Sequence, residues 1–166
     1  MKTLIAYSTT HGCTEKTAKE IKHYLGDTTL VNLKKDAKPD LLQFERVIIG
    51  GSIHAGQIQK RVKTFCQNNM ENLQSKELGL FICCMEKGET AQKQLRDAFP
   101  DELHSSAKVS TYFGGEFDFE RMNFLERMIV KKVAHVESST SEFDAEAVKS
   151  FAKKMDKVFN PFLFLL

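Results

Sequence analysis

Tryptophan is absent from the 166 residues, and there are three prolines and nine glycines. A chain so poor in both turn-formers, with 42% hydrophobic residues, is neither collagen-like nor disordered. Its four cysteines, Cys13, Cys66, Cys83 and Cys84, form no CxxC pair and no regular framework. That excludes a disulfide-stapled miniprotein and points to reduced thiols in a cytoplasmic protein. The five histidines are scattered, with no HExxH and no Cys/His ligand spacing, so no metal site is expected. Apolar runs fall well short of the ~18 residues of a membrane span. The opening Met1-Lys2-Thr3-Leu4-Ile5-Ala6-Tyr7 turns polar at Ser8, too soon for a signal peptide. Charge of one sign is also lacking. Lys and Arg number 24 against 22 Asp and Glu, a net +2, which gives no case for nucleic-acid binding.

What is present is an alternation of apolar runs and amphipathic stretches. Leu4–Tyr7, Thr28–Leu33, Arg46–Gly50, Leu78–Met85 and Ala107–Phe113 read as strands. The third is expected to break at Gly50-Gly51. Between them, Ala18, Ile21 and Leu25 share one helical face, Ile58, Val62, Phe65 and Cys66 a second, and Ala91, Leu95, Ala98 and Phe99 a third. Two more helices are expected at Phe119–His135 and Asp144–Phe159. The latter follows a capping-box pattern at Ser141-Glu142-Phe143-Asp144 and buries Val148, Phe151, Met155 and Val158. Strict alternation implies an α/β domain, doubly wound, with a five-stranded parallel sheet of order 2-1-3-4-5 and helices on both faces. One domain over residues 1–160 is expected, followed by the apolar tail Pro161–Leu166 of unknown role.

Ligands of such sheets bind beyond the carboxyl ends of the strands, so the loop after the first strand is the place to look. It reads Ser8-Thr9-Thr10-His11-Gly12-Cys13-Thr14 and opens directly into a helix. Hydroxyls, a glycine and free N–H groups at a helix N-terminus make a phosphate cradle. A P-loop needs GxxxxGK[ST] and a dinucleotide fold GxGxxG, and neither occurs. A receiver domain needs aspartates where Ser8, Thr9, Gly51 and Ser52 stand.

The segment Tyr7-Ser8-Thr9-Thr10-His11-Gly12-Cys13-Thr14, with Ala18 and Ile21 following, resembles the FMN-phosphate signature of flavodoxins, departing from it only at Ala6. The resemblance implies FMN as cofactor, with Ser8, Thr9, Thr10, His11, Gly12, Cys13 and Thr14 on its phosphate. It also implies that the loops Ser52-Ile53-His54-Ala55-Gly56 and Met85-Glu86-Lys87-Gly88 flank the flavin ring, with His54 or Ile53 covering one face. No side chain is assigned a catalytic role, because the flavin carries the redox chemistry. The chain is further similar to the menaquinone-dependent protoporphyrinogen oxidases of heme biosynthesis. That similarity rests on Met1–Ile5 with the phosphate loop, on Val47–Gly56, and on Phe113-Gly114-Gly115-Glu116-Phe117 running into Arg121–Lys132. It departs at His54-Ala55, where that branch has an aromatic neighbour.

Two functions follow as expectations. One is an FMN-dependent oxidoreductase of that branch, with a quinone or porphyrinogen as partner. The other is a non-catalytic flavodoxin carrying electrons between partner proteins. A domain binding a different phosphorylated ligand is a third. The helix expected at Phe119–His135 bears on the choice. Met122, Leu125, Ile129, Val130 and Val133 form a broad apolar sector, expected to face the core. Phe117, Phe124 and Met128 form a narrow second stripe beside Arg121, Arg127, Lys131 and Lys132. The segment Phe117–His135 is thus a candidate contact for a membrane surface, placing a cytoplasmic protein at the inner face of the membrane.

Overall fold

The computed structural model describes residues 1–157. Five parallel strands form the centre: β1 Thr3–Tyr7, β2 Thr28–Asn32, β3 Arg46–His54, β5 Glu77–Cys84 and β6 Ala107–Gly114, in the order β2-β1-β3-β5-β6. This is the order expected, once the two-residue β4 Gln57–Ile58, which pairs antiparallel with β3, is numbered. Helices α1 Cys13–Tyr24 and α7 Ala145–Asp156 pack on one face. On the other face lie α2 Lys60–Asn68, α3 Met70–Gln74, α4 Gly88–Ala98 and α5 Asp101–Ser106.

Side chains alternate across a strand, so a sheet covered on both faces needs strands that are apolar throughout. β5 shows this. Leu78, Leu80, Ile82 and Cys84 face the layer of Val62, Phe65, Ala91 and Leu95, whereas Phe81 and Cys83 face that of Ala18, Ile21, Phe151 and Met155. Cys83 and Cys84 are therefore buried on opposite faces and cannot pair with each other. Arg46 is also buried, and its guanidinium reaches Glu77 at 3.2 Å and Asp156 at 3.5 Å.

Four expectations need correction. β3 does not break at Gly50-Gly51 but runs through to His54. Both positions need glycine for space rather than for a turn. A Cβ on Gly50 would overlap the Phe81 ring, and one on Gly51 would press on Ile58 and Gln59. The cap of α7 is Asp144 itself, whose carboxylate accepts from the amides of Glu146 and Ala147 at 3.0 and 3.1 Å. Ser141, expected to cap, instead lies in the short strand β8 Thr140–Ser141, paired with β7 Glu116–Phe117. The helix expected at Phe119–His135 is the shorter α6, Phe124–Ala134. Its broad sector does not reach the core. Met122, which precedes the helix, is buried, but no residue of α6 is. The reason is its attachment: α6 stands on the β7–β8 ribbon and is held by its own capping box, with no sheet face to receive it. Val158 and the tail Pro161–Leu166 lie outside the described residues.

The chain turns from β3 into β4 through Ala55 and Gly56, at φ 49° and 75°. Two left-handed residues between His54 and Gln57 make the two-residue hairpin turn that favours Asn-Gly. Alanine there is strained by roughly 1–2 kcal/mol. Ala55→Asn is expected to stabilise the fold by up to about 1 kcal/mol, read as a rise of about 2–4 °C in Tm.

Candidate functional site

The site begins where β1 ends. Ser8 is buried, and its N–H donates to the Gly50 carbonyl at 3.1 Å, extending the pairing of β1 and β3 by one residue. The chain then turns: Thr9 Oγ1 accepts from the Gly12 N–H at 2.9 Å, and Gly12 takes φ 96°. Helix α1 starts immediately afterwards with no side-chain cap. The first amide to bond within the helix is that of Lys16, to the Gly12 carbonyl at 2.9 Å. The amides of Cys13, Thr14 and Glu15 are the donors any helix leaves unmatched at its start. Thr14 Oγ1 is fully buried, with the Cys83 thiol as its polar neighbour and no oxygen or nitrogen partner. The loop thus presents unmatched donors and no acidic side chain of its own, a donor set suited to a phosphate monoester.

The residues expected here divide by depth. Ser8, Cys13 and Thr14 are buried, Thr9, His11 and Gly12 half-buried, and Thr10 exposed. Cys13 offers the loop its amide rather than its thiol. Its Sγ is turned inward, 3.7 Å from the Gly114 carbonyl, and the hydrogen bond it shares with Cys83 holds it below the ordinary thiol range. The same contact and complete burial push Cys83 well up. Burial likewise raises Cys84 to about 11 and Cys66 to about 12.

The second loop stands beside the first. The rings of His11 and His54 meet edge to face, their centroids 5.9 Å apart. Ser52 Oγ lies 2.9 Å from His54 Nε2, and its amide donates to Gln59 Oε1 at 3.0 Å. Ile53 pairs with Ile58 and packs on the core, leaving His54 as the side chain beside the phosphate loop. Met85, Glu86 and Lys87 follow β5, the next strand along the same carboxyl edge, and Gly88 opens α4. With Tyr112 and Phe143, the first three line a separate hollow of about 800 Å³, where Lys87 pairs with Glu142 at 3.2 Å.

The sequence reading missed what the segment after β6 contributes. Glu116 Oε1 takes hydrogen bonds of 2.7 Å from both Lys16 and Ser141, tying the β7–β8 ribbon to the first turn of α1. Burial opposes its ionisation, but these bonds prevail and hold the Glu116 carboxyl below its usual range. From that base the chain folds back over the loop. Arg121 Nη1 donates to the His11 carbonyl at 3.3 Å, and Glu126 Oε2 lies 3.9 Å from His11 Nε2. Arg121 and His11 are 110 residues apart, and no local pattern marks such a contact.

The match to known proteins decides the family. The flavodoxin domain model matches residues 4–144. The chain belongs to the flavodoxin domain family. No curated protein matches it. Among solved structures it is similar to the Lactobacillus acidophilus flavoprotein in complex with FMN, at 18% identity and TM-score 0.51, over 68% of this chain and 92% of that one. A short-chain flavodoxin associated with a bacterial microcompartment matches at 15% identity and TM-score 0.60, over 93% and 97%. The two-electron reduced flavodoxin of Megasphaera elsdenii matches at 18% and 0.52, over 66% and 85%. At these identities the likeness is one of fold. FMN is the cofactor of the family and fits the cradle of unmatched amides and hydroxyls, so the chain is a flavodoxin-like, FMN-binding electron-transfer protein.

Gly12 is held to glycine by its backbone: φ 96° strains any L side chain, and a Cβ there would also displace the Arg121 guanidinium. Gly12→Ala is expected to cost roughly 1–2 kcal/mol of stability. It should also weaken FMN binding at least about tenfold by re-aiming amides at the anion. Fluorescence titration with FMN, together with thermal melting, checks both.

Proposed function

We propose that the protein is an FMN-dependent oxidoreductase acting on an apolar partner held at α6, of the menaquinone-dependent protoporphyrinogen oxidase type. The observation that carries this reading is the bare helix beside the phosphate loop. Phe124, Leu125, Met128, Ile129 and Val133 are each more than half exposed. Soluble surfaces rarely leave so many large apolar side chains together without a partner for them. Arg127, Lys131 and Lys132 on the same helix are also exposed and add a cationic border. A basic, partly apolar helix suits a quinone dissolved in an anionic bilayer, or a tetrapyrrole with carboxylate side chains. No helix among the described residues is long and apolar enough to cross a membrane, so the contact would be peripheral.

In this reading Ser8, Thr9, Thr10, His11, Gly12, Cys13 and Thr14 hold the phosphate. The segments Ser52–Gly56 and Met85–Gly88 border the ring, with His54 against one face. Bound FMN supplies the redox chemistry. The protein's residues orient it, and α6 brings the partner to the same end of the sheet.

The other reading is an electron carrier between proteins, favoured by the match in length and fold to the short-chain flavodoxin. Its difficulty is charge. Carriers steered onto basic partners use acidic surfaces, and this chain is at net +2.

Wild-type activity in vesicles separates the two readings, and the double variant Phe124→Ser with Met128→Ser tests the part played by α6. Each apolar side chain contributes roughly 1.5–3 kcal/mol when buried, so quinone-coupled porphyrinogen oxidation in vesicles should fall at least about tenfold. FMN affinity should be unchanged. Unaltered vesicle activity in the folded double variant would remove α6 from the reaction, and absence of that activity in the wild type would favour the carrier.

A further inference from the structure

We propose that Arg121, reaching across from the segment between β7 and α6, is the cation that pairs with the FMN phosphate. The inference rests on the cradle being FMN's phosphate site. The motif from Ser8 to Thr14 carries no formal positive charge of its own, only hydroxyls, amides and the His11 ring. A phosphate monoester brings close to two negative charges, which a loop of neutral donors leaves uncompensated.

Lys16, in the first turn of α1, is the nearest sequence candidate for the counter-charge, but its ammonium is spent on Glu116 at 2.7 Å and lies 4.3 Å from the centre of the Phe143 ring. Arg121 is placed differently. Its Nη1 occupies the space in front of the Gly12 Cα, where a Cβ would otherwise point, and donates to the His11 carbonyl. Its ion-pair partner among the described residues is Asp118, 3.4 Å from Nε, and Glu116, already bonded to Lys16 and Ser141, also feels its charge. Asp118 therefore steers the guanidinium from Nε while Nη1 reaches the loop. Glu126 comes near the same loop, but its carboxylate is engaged by the Asn123 amide in the capping box of α6.

This geometry gives Gly12 a second role beyond its turn: the missing side chain is the slot that admits the guanidinium. It also ties cofactor binding to the segment bearing α6, because the residue that meets the phosphate lies three positions before that helix. A planar fork matches a phosphate better than an ammonium does, so arginine and lysine are not equivalent here.

Comparing FMN with riboflavin, which has the same ring and no phosphate, tests the assignment. Wild type, Arg121→Ala and Arg121→Lys would be titrated with both flavins by fluorescence quenching, at low and high salt, after thermal melting shows that each is folded. Loss of one charge-assisted contact at an exposed site should weaken FMN binding by Arg121→Ala about tenfold. It should leave riboflavin binding unchanged and remove much of the salt dependence, with partial recovery in Arg121→Lys. Equal FMN affinity in wild type and Arg121→Ala would overturn the assignment, and so would an equal loss for both flavins, which marks a merely structural role in the loop. Failure of wild type to bind FMN would overturn the cofactor reading itself, and is seen before any variant is made.

Discussion

At Gly12 the chain leaves the central strand and enters a helix with no side chain to cap it. That turn is possible because Ser8 is still paired to β3 through the Gly50 carbonyl and because Thr9 satisfies the Gly12 amide. With the turn held from both sides, Gly12 adopts a left-handed φ, and α1 begins with its first amides unmatched. A helix start of this kind would ordinarily be stabilised by about 1 kcal/mol from a Ser, Thr or Asp cap. Here that contribution is forgone, and the donors are left for a ligand. The position of the loop follows from topology. β1 lies between β2 and β3, and the connections leave it in opposite directions, which opens a crevice at its carboxyl end.

The segment from Glu116 to Ser141 depends on that same loop. Its ribbon is anchored where β6 ends, at two close approaches. A Cβ on Gly114 would collide with the Glu142 carbonyl, and the Gly115 amide bonds to the Cys84 carbonyl at 2.8 Å. Lys16 and Glu116 fasten the ribbon to α1, and Arg121 returns to the turn itself. The part of the molecule that looks least like core is thereby coupled to the part that is most constrained. α6 keeps its apolar side chains in solvent because its N-terminus is fixed by the capping box while its length is not packed. Such a helix is poised for a partner at modest cost, since little has to be undone to cover it.

Much of the sheet was legible in the sequence. Strands buried on both faces are nearly uniform apolar runs, so Leu78–Met85 and Leu4–Tyr7 stood out, and the loop after β1 stood out as a candidate phosphate cradle from its hydroxyls and its place before a helix. What escaped had physical reasons. Gly50-Gly51 looked like a break because glycine is common in turns, whereas the need is room for the Phe81 ring of the neighbouring β5 at Gly50 and for Ile58 and Gln59 at Gly51. The apolar sector of the helix after Phe117 looked like core because periodicity reports amphipathicity, not what covers it. The bonds of Arg121 and Glu116 were invisible because both partners are polar, and the Arg121 contact spans 110 residues. The short helices α3 and α5 carry too few residues for a helical period to declare itself.

On the proposed reading, the unmatched donors at the start of α1 form the FMN-phosphate cradle. Heteronuclear NMR of the 15N-labelled protein during FMN titration tests it most directly, by following the backbone amides of residues 9–15. Saturation is expected at one FMN per chain, with the amides of Gly12, Cys13 and Thr14 among the most strongly shifted and the same amides unmoved by riboflavin. FMN binding that left those three amides in place, or that riboflavin reproduced, would contradict it.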